Sequence, residues 1–471
     1  MNYEETAALL KEHGVGFHLD DAISCKSSDQ TANEILIEGY PLVKEVRTRK
    51  LSKVAFPSSS ATRVFYERVK KSIARPIPPH LLKRELNNRV LLLVNPFSGQ
   101  KKAEKLWQEY GKSVLEAAEI EVDVVNTECP QHATEIVRSM NIDSYDAILV
   151  NSGDGLVTEV LCGLLLRKDR ERALKIPICH IPGGTSNALA GAILFSSNEP
   201  FLSRDVFITE CALFAVRPRY MPLRLCSVET EHNDVKSMFL SACWGLIADI
   251  DLGSERFRWA GLARLHIEAI IRILQLPRVA KYKGRISYLP VDNNDLVRKT
   301  RIGHLADRSF FGKDHFNSPP IAQATGKEKH LASDFENIAE ALNQPYVKIP
   351  SLKEPLGKEW TVIEGEFVMV NVTSLSHLGS DLPYIPSTQM GEPILYLTMI
   401  DWAILKNRFE ASGTSEDRNC VQIIPVRAVR VEPLTKTGYF AIDGEPCQSG
   451  SAFQVVPQHH CATVIGRKPV P

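Results

Sequence analysis

The chain has 471 residues, 44% of them hydrophobic, and its 56 basic residues balance 56 acidic ones. That length and composition suit a folded protein of two domains plus appendages, and the charge balance gives no argument for a nucleic-acid partner. No run of eighteen apolar residues is present to cross a membrane and no apolar leader opens the chain, so a reducing, cytoplasmic setting is expected, with Cys162, Cys179, Cys211 and Cys243 as free core thiols.

Residues 1–85 read as a small strand-rich appendage. Apolar clusters at 35–37 and 54–56 predict short strands, 61–73 carries helical spacing, and Pro76-Ile77-Pro78-Pro79 closes the segment as a linker. From residue 86 to about 205 strands alternate with helices. The apolar run 90–94 ends at Asn95-Pro96, as a buried parallel strand would. Ala103, Leu106, Trp107, Tyr110, Val114 and Leu115 then mark one helical face. Strands follow at 120–125, 145–150 and 176–181, and helices at 132–140, 156–165 and 187–194. This alternation predicts a parallel sheet covered on both faces, with ligands at the carboxyl ends of its strands.

Beyond about residue 206 the pattern turns to strands, at 223–228, 237–244, 285–289, 362–372, 394–399, 421–431 and 453–456, which predicts a second, β-sandwich-like unit running to residue 471. One long helix, about 255–276, interrupts it, and the polar, turn-rich stretch 293–352 reads as a mobile insertion.

The chemistry gathers at three small-residue turns, each at the end of a predicted parallel strand. They are Asn95-Pro96-Phe97-Ser98-Gly99, Ser152-Gly153-Asp154-Gly155-Leu156 and Pro182-Gly183-Gly184-Thr185-Ser186-Asn187. Glycines let the backbone turn sharply and approach a ligand, and a following helix N-terminus favours phosphate. Asp154 stands among these groups. Beside phosphate a carboxylate is repelled unless it holds a metal or takes a proton from an acceptor; otherwise it is a helix cap. There is no G-x-x-x-x-G-K-[ST] and no complete G-x-G-x-x-G, so neither a P-loop nor a dinucleotide fingerprint is present.

Asp249 and Asp251 lie in the apolar run 244–252, and buried carboxylates need partners; Arg256 or Arg258 could supply them structurally. The following helix has an unusually wide apolar surface. Leu262, Leu265, Ala269, Ile273 and Leu276 form a core face, and Ile267, Ile270, Ile271 and Leu274 an adjoining one. Arg264, Glu268, Arg272 and Gln275 fill the narrow arc left over. Such a helix is either buried on two sides, or it walls an acyl tunnel or dips into a membrane surface.

Together Asn95-Pro96, Ser152-Gly153-Asp154-Gly155 and Pro182-Gly183-Gly184-Thr185-Ser186-Asn187 resemble the diacylglycerol-kinase catalytic superfamily of lipid kinases. The Ser-Gly-Asp-Gly-Leu form at 152–156, the segment 242–252 and Tyr282-Lys283-Gly284-Arg285 resemble its sphingosine kinases more closely. The resemblance implies an α/β nucleotide-binding domain followed by a β-rich lipid-binding domain. The implied reaction moves the γ-phosphoryl group of ATP, carried with Mg²⁺, to the primary hydroxyl of a sphingoid base at a peripheral membrane surface. It implies Asp154 as base, with Ser152, Gly153, Gly155 and Asp251 around the lipid and Asp251 facing its ammonium. Asn95, Pro96, Phe97, Thr127, Glu159, Gly184, Thr185 and Ser186 would hold the nucleotide, with Arg258 and Arg264 reaching its phosphates and Asp443-Gly444-Glu445 closing the site. Asp443-Gly444 taken alone reads as a hairpin turn. Ser98 and Ser186 stand where these families carry glycine, and Ser186 raises the question of backbone strain. The rival readings are a kinase for diacylglycerol or ceramide, and a silent lipid- or partner-binding protein of the same fold.

Overall fold

A computed structural model describes residues 3–27, 33–82, 85–98, 101–199, 204–232, 234–260, 263–274, 282–291, 338–402, 421–435 and 438–467. Most of the expected insertion, together with Gly99, Leu262, Gln275 and Leu276, lies outside the described residues, as do the side chains of Arg258, Leu265 and Ile273.

Four parallel strands form the sheet that positions the site, in the spatial order Glu121–Asn126, Arg89–Val94, Ala147–Ser152, Pro177–Pro182. Leu92, Leu93, Leu149, Val150, Ile178 and Ile181 are fully buried, because helices cover both faces. The 103–117 helical face forms as expected, with a π-turn at Trp107–Gly111 where a Cβ on Gly111 would lie 2.3 Å from the Trp107 ring.

The helix Arg204–Val216 went unread in the sequence. It is apolar nearly all round, and Ile208, Cys211, Ala212 and Phe214 pack in the same core as the parallel strands. The expected boundary near 205 therefore separates this helix from the core that buries it. A second reading also changes: the expected long helix 255–276 is replaced by Leu246–Gly253, a 3₁₀ segment Ser254–Ala260 broken at Phe257, and Ala263–Leu274.

The antiparallel strands curl around a second core holding Trp244, Phe367, Phe440 and Phe453, with the last two rings stacked 4.0 Å apart. The final strand, Phe453–Gly466, joins the two halves. It runs antiparallel to Arg219–Thr230 and Val421–Pro433, then parallel to Pro177–Pro182 through Thr463 and Val464. Among the described residues one hydrogen-bonded sheet of 14 strands thus carries both units. Residues 338–352, expected to be mobile, are tied down: Ile338–Ala341 is helical, Tyr346 donates to Pro457 O at 2.7 Å, and Arg430 donates to Pro350 O and Ser351 O.

The N-terminal appendage is a three-stranded antiparallel sheet, Ala22–Ser27, Glu34–Gly39 and Lys50–Ala55, packed against helices Tyr3–Glu12 and Ser59–Ile73. A buried ionic cluster fastens it to the main body. Arg47 reaches Asp21 and Glu199 at 2.7 Å each and Glu210 at 3.2 Å, and Arg467 reaches Asp21 at 2.8 Å. The Asn371-Val372-Thr373 sequence fits a glycosylation acceptor, but Asn371 is fully buried in a strand. Among the described residues no cysteine is bridged.

Candidate active site

The carboxyl ends of the four parallel strands bring the three turns together. Asn95 Oδ1 accepts from Phe97 N at 2.9 Å, shaping the first turn and leaving Phe97 63% exposed at its rim. Ser152 Oγ bonds Ser98 Oγ at 3.1 Å, which ties the first turn to the second. The second and third turns meet backbone to backbone: a Cβ on Gly184 would lie 2.3 Å from Gly153 Cα. Glycine at 184 is therefore a packing requirement. Ser186 is not strained. The left-handed position falls on Asn187 at φ +53°, whose Oδ1 accepts from Gly184 N at 2.9 Å.

Asp154 opens the helix Asp154–Leu165 and is buried. Its capping role is real but serves a different helix. Oδ2 accepts from Ala188 N at 2.8 Å and Oδ1 from Leu189 N at 3.0 Å, so it caps Ala188–Ser196 and locks the second turn against the third. Thr127 sits at the end of its strand, donating N–H to Val94 O at 2.8 Å. Glu159, further along the Asp154 helix, accepts from Ala133 N at 3.2 Å and anchors the start of His132–Ser139.

His180 was missed in the sequence. It is fully buried in Pro177–Pro182, with Nε2 3.0 Å from Ser152 O and Nδ1 3.9 Å from Asp154 Oδ1. Burial pushes its pKa below the ordinary histidine range. A lone histidine in an otherwise apolar strand, two residues before the turn that opens at Pro182, was the available signal.

The second half reaches this edge at Ser380, which donates N–H to Ser186 O at 2.6 Å, and through a late hairpin. Phe440–Ile442 and Glu445–Cys447 are joined by Asp443 at φ +50° and Gly444 at φ +84°, the two left-handed residues of a tight turn. The three expected hairpin residues diverge. The Asp443 carboxylate turns inward and accepts from the backbone N–H groups of Phe239, Leu240 and Ser241 at 2.9–3.0 Å. Burial pushes its pKa up to about 7 against those three hydrogen bonds. Glu445 Oε1 instead lies 3.4 Å from where a Cβ on Gly155 would stand, and Asp251 Oδ2 lies 3.6 Å from the corresponding point on Gly444. The hairpin tip thus bridges the Asp154 turn and Asp251.

Asp249 and Asp251 separate in role. Asp249 is consumed structurally, accepting from the Tyr282 hydroxyl, from Tyr439 N at 3.1 Å and from Arg272 at 3.4 Å. Asp251, two residues on in Leu246–Gly253, is only partly buried and lies by the hairpin tip.

Of the core face expected on the helix Ala263–Leu274, only the Ala269 side chain is described, and it is half-buried. The helix's polar arc faces inward: Glu268 is fully buried, accepting from Arg256 at 2.6 Å and Arg272 at 2.8 Å, and Arg264 is also buried. Burial opposes ionisation of Glu268, but the two guanidinium groups hold its pKa below the usual range. Ile270 and Leu274 stand outward, 57% and 76% exposed. Among the described residues no helix is long and apolar enough to cross a membrane, and no group of three or more His, Cys, Asp or Glu side chains forms a metal site.

Residues 89–205 match the diacylglycerol kinase catalytic domain family. The chain is 33% identical to human sphingosine kinase 1 over 366 residues, covering 76% of this chain and 85% of that protein. It is 30% identical to human sphingosine kinase 2 over 464 residues, covering 79% and 70%, and 38% identical to Arabidopsis thaliana sphingosine kinase 1 over 211 residues, covering 45% and 42%. The matched domain spans all three turns and Asp154, and the longer alignments extend well beyond it: the chain belongs to the sphingosine kinase family.

Proposed function

We propose that this ATP-dependent lipid kinase phosphorylates the primary hydroxyl of a sphingoid base, giving sphingosine 1-phosphate, with Asp154 as the residue that orients and deprotonates that hydroxyl. The observation that carries this reading is the meeting of Asp154, set between two glycine turns, with a hairpin that brings Glu445 to Gly155 and Gly444 to Asp251. Asn95, Pro96, Phe97, Thr127, Gly184, Thr185 and Ser186 line the strand ends where the nucleotide would lie, with Arg258 and Arg264 its assigned phosphate partners. Catalysis of phosphoryl transfer is largely positioning and charge stabilisation, which suits a rigid edge made of interlocked turns.

Mg²⁺ would arrive with the nucleotide. An ion held mainly by phosphate oxygens and water fits a site with carboxylates but no three-residue cage among the described residues, and when bound it would offset phosphate charge.

Asp251 supports a cationic lipid over a neutral one, since a diacylglycerol or ceramide offers no ammonium to a carboxylate beside the hairpin tip. The outward Ile270 and Leu274 support docking on a membrane surface, where such a lipid is found.

Asp154→Asn tests the base. The variant keeps an oxygen to cap Ala188–Ser196, so it should fold and bind ATP, while single-turnover phosphorylation slows by roughly 10²–10⁴-fold. A rate close to wild type would remove Asp154 from the mechanism and favour a purely capping role.

A further inference from the structure

Two backbone N–H groups at a helix N-terminus hold the Asp154 carboxylate in place. Beneath it lies His180. Ser152 O can only accept, so the Nε2 atom 3.0 Å away carries the hydrogen and Nδ1 is a bare acceptor. That Nδ1 is buried, has no hydrogen-bond partner and faces Asp154 Oδ1 across 3.9 Å. While Asp154 is ionised, both atoms offer lone pairs and have no proton to share, which accounts for the gap. A proton on Asp154 changes this, for an O–H···N bond then needs an approach of only roughly 1 Å.

We infer that His180 is a positioning residue for phosphoryl transfer, its Nδ1 accepting a hydrogen bond from Asp154 once that carboxylate has taken the lipid hydroxyl proton. The inference rests on the assignment of Asp154 as base. In the step, the lipid O–H bond breaks and its oxygen bonds the γ-phosphorus. The bond from that phosphorus to the bridging oxygen breaks, its electron pair leaving on ADP, and the proton ends on Asp154, shared with His180 Nδ1. The bond to His180 is absent in the resting site and forms as the proton transfers, so it lowers the barrier rather than tightening substrate binding.

The charged surroundings allow this. Asp154 is the ionised group whose charge acts on His180, and burial keeps the imidazole neutral against it. From the late hairpin, Asp443, held by the 239–241 backbone, is an acid whose ionisation the Asp154 charge opposes. At acid pH a proton on His180 would turn Nδ1 into a donor toward Asp154 and occupy the lone pair that the lipid hydroxyl requires.

Two substitutions separate the two nitrogens. His180→Gln places an amide near the Nε2 position, keeping the Ser152 contact but losing the acceptor toward Asp154. His180→Asn keeps an acceptor near the Nδ1 position and loses the Ser152 contact. With ATP and a sphingoid base as substrates, His180→Gln should lower single-turnover kcat about 10-fold with both KM values unchanged, the worth of about one hydrogen bond. His180→Asn should retain kcat while melting at lower temperature. A wild-type kcat in His180→Gln, or equal losses in both variants, would overturn the role. Asp154→Asn measured alongside separates the two readings. A slow Asp154→Asn with a fast His180→Gln overturns His180 alone, whereas a fast Asp154→Asn overturns both.

Discussion

Replacing Ile270 and Leu274 together by glutamine should detach the protein from lipid vesicles without unfolding it. The two side chains are 57% and 76% exposed, and the helix that carries them is held by the opposite face, through Glu268, Arg256 and Arg272. Full burial of such a side chain is worth about 1.5–3 kcal/mol, so transferring the exposed fractions of both into a membrane is worth about 2–4 kcal/mol. That corresponds to a loss of roughly 30- to several-hundred-fold in vesicle partitioning, while the melting temperature stays near that of wild type because little buried surface is removed. Flotation with neutral phosphatidylcholine vesicles and a thermal melt on the same sample measure both quantities. Glu268→Leu is the internal contrast: it removes the buried carboxylate shared by Arg256 and Arg272 and should destabilise the fold by about 1–3 kcal/mol. Unchanged vesicle binding in the double variant, or its unfolding, would refute the outward reading of this helix.

Asp251→Asn should raise KM for a sphingoid base and narrow its advantage over an N-acylated analogue; an unchanged kcat/KM ratio for the two lipids would make Asp251 structural. Arg47→Met leaves buried Asp21 and Glu199 with Arg467 as their remaining close cation, and should cost about 3–5 kcal/mol in chemical denaturation. Next to them Glu210 is already pushed up to about 9 by burial and by Glu199, so this cluster has no spare negative charge to accommodate. Asp443, with a folded pKa of about 7, binds a proton that the unfolded chain has released above about pH 4. Its contribution to stability is therefore present below pH 4 and lost as pH rises toward 7. Denaturation midpoints at pH 4.5 and 7.5 should show a smaller decline in Asp443→Asn than in wild type, and equal slopes would contradict the assignment.

The parts of the fold legible in the sequence were those with a local cause. The run 90–94 is apolar because its strand is covered on both faces, and Asp443-Gly444 marks a two-residue hairpin through its own backbone preferences. Orientation was not legible where it depends on distant partners. Arg264, Glu268 and Arg272 fill the narrow arc between the apolar faces of their helix, and its direction is set by Arg256 and Asp249, which draw Glu268 and Arg272 inward. The helix 204–216 offers no single apolar face, since it is buried nearly all round, so periodicity could not find it. Within the site, the turns and Asp154 stood out by composition. The helix that Asp154 caps, the N–H groups that occupy Asp443 and the imidazole under Asp154 are products of packing between segments far apart in the chain.

The central claim is tested most directly by supplying γ-labelled ATP with a sphingoid base, its N-acylated ceramide and a diacylglycerol of matched chain length in the same vesicles. An ammonium facing Asp251 leaves a net preference of about 1–3 kcal/mol after desolvation, so kcat/KM for the sphingoid base should exceed that for either neutral lipid by roughly 5- to 150-fold. Label passing to diacylglycerol or ceramide faster than to the sphingoid base would contradict the account.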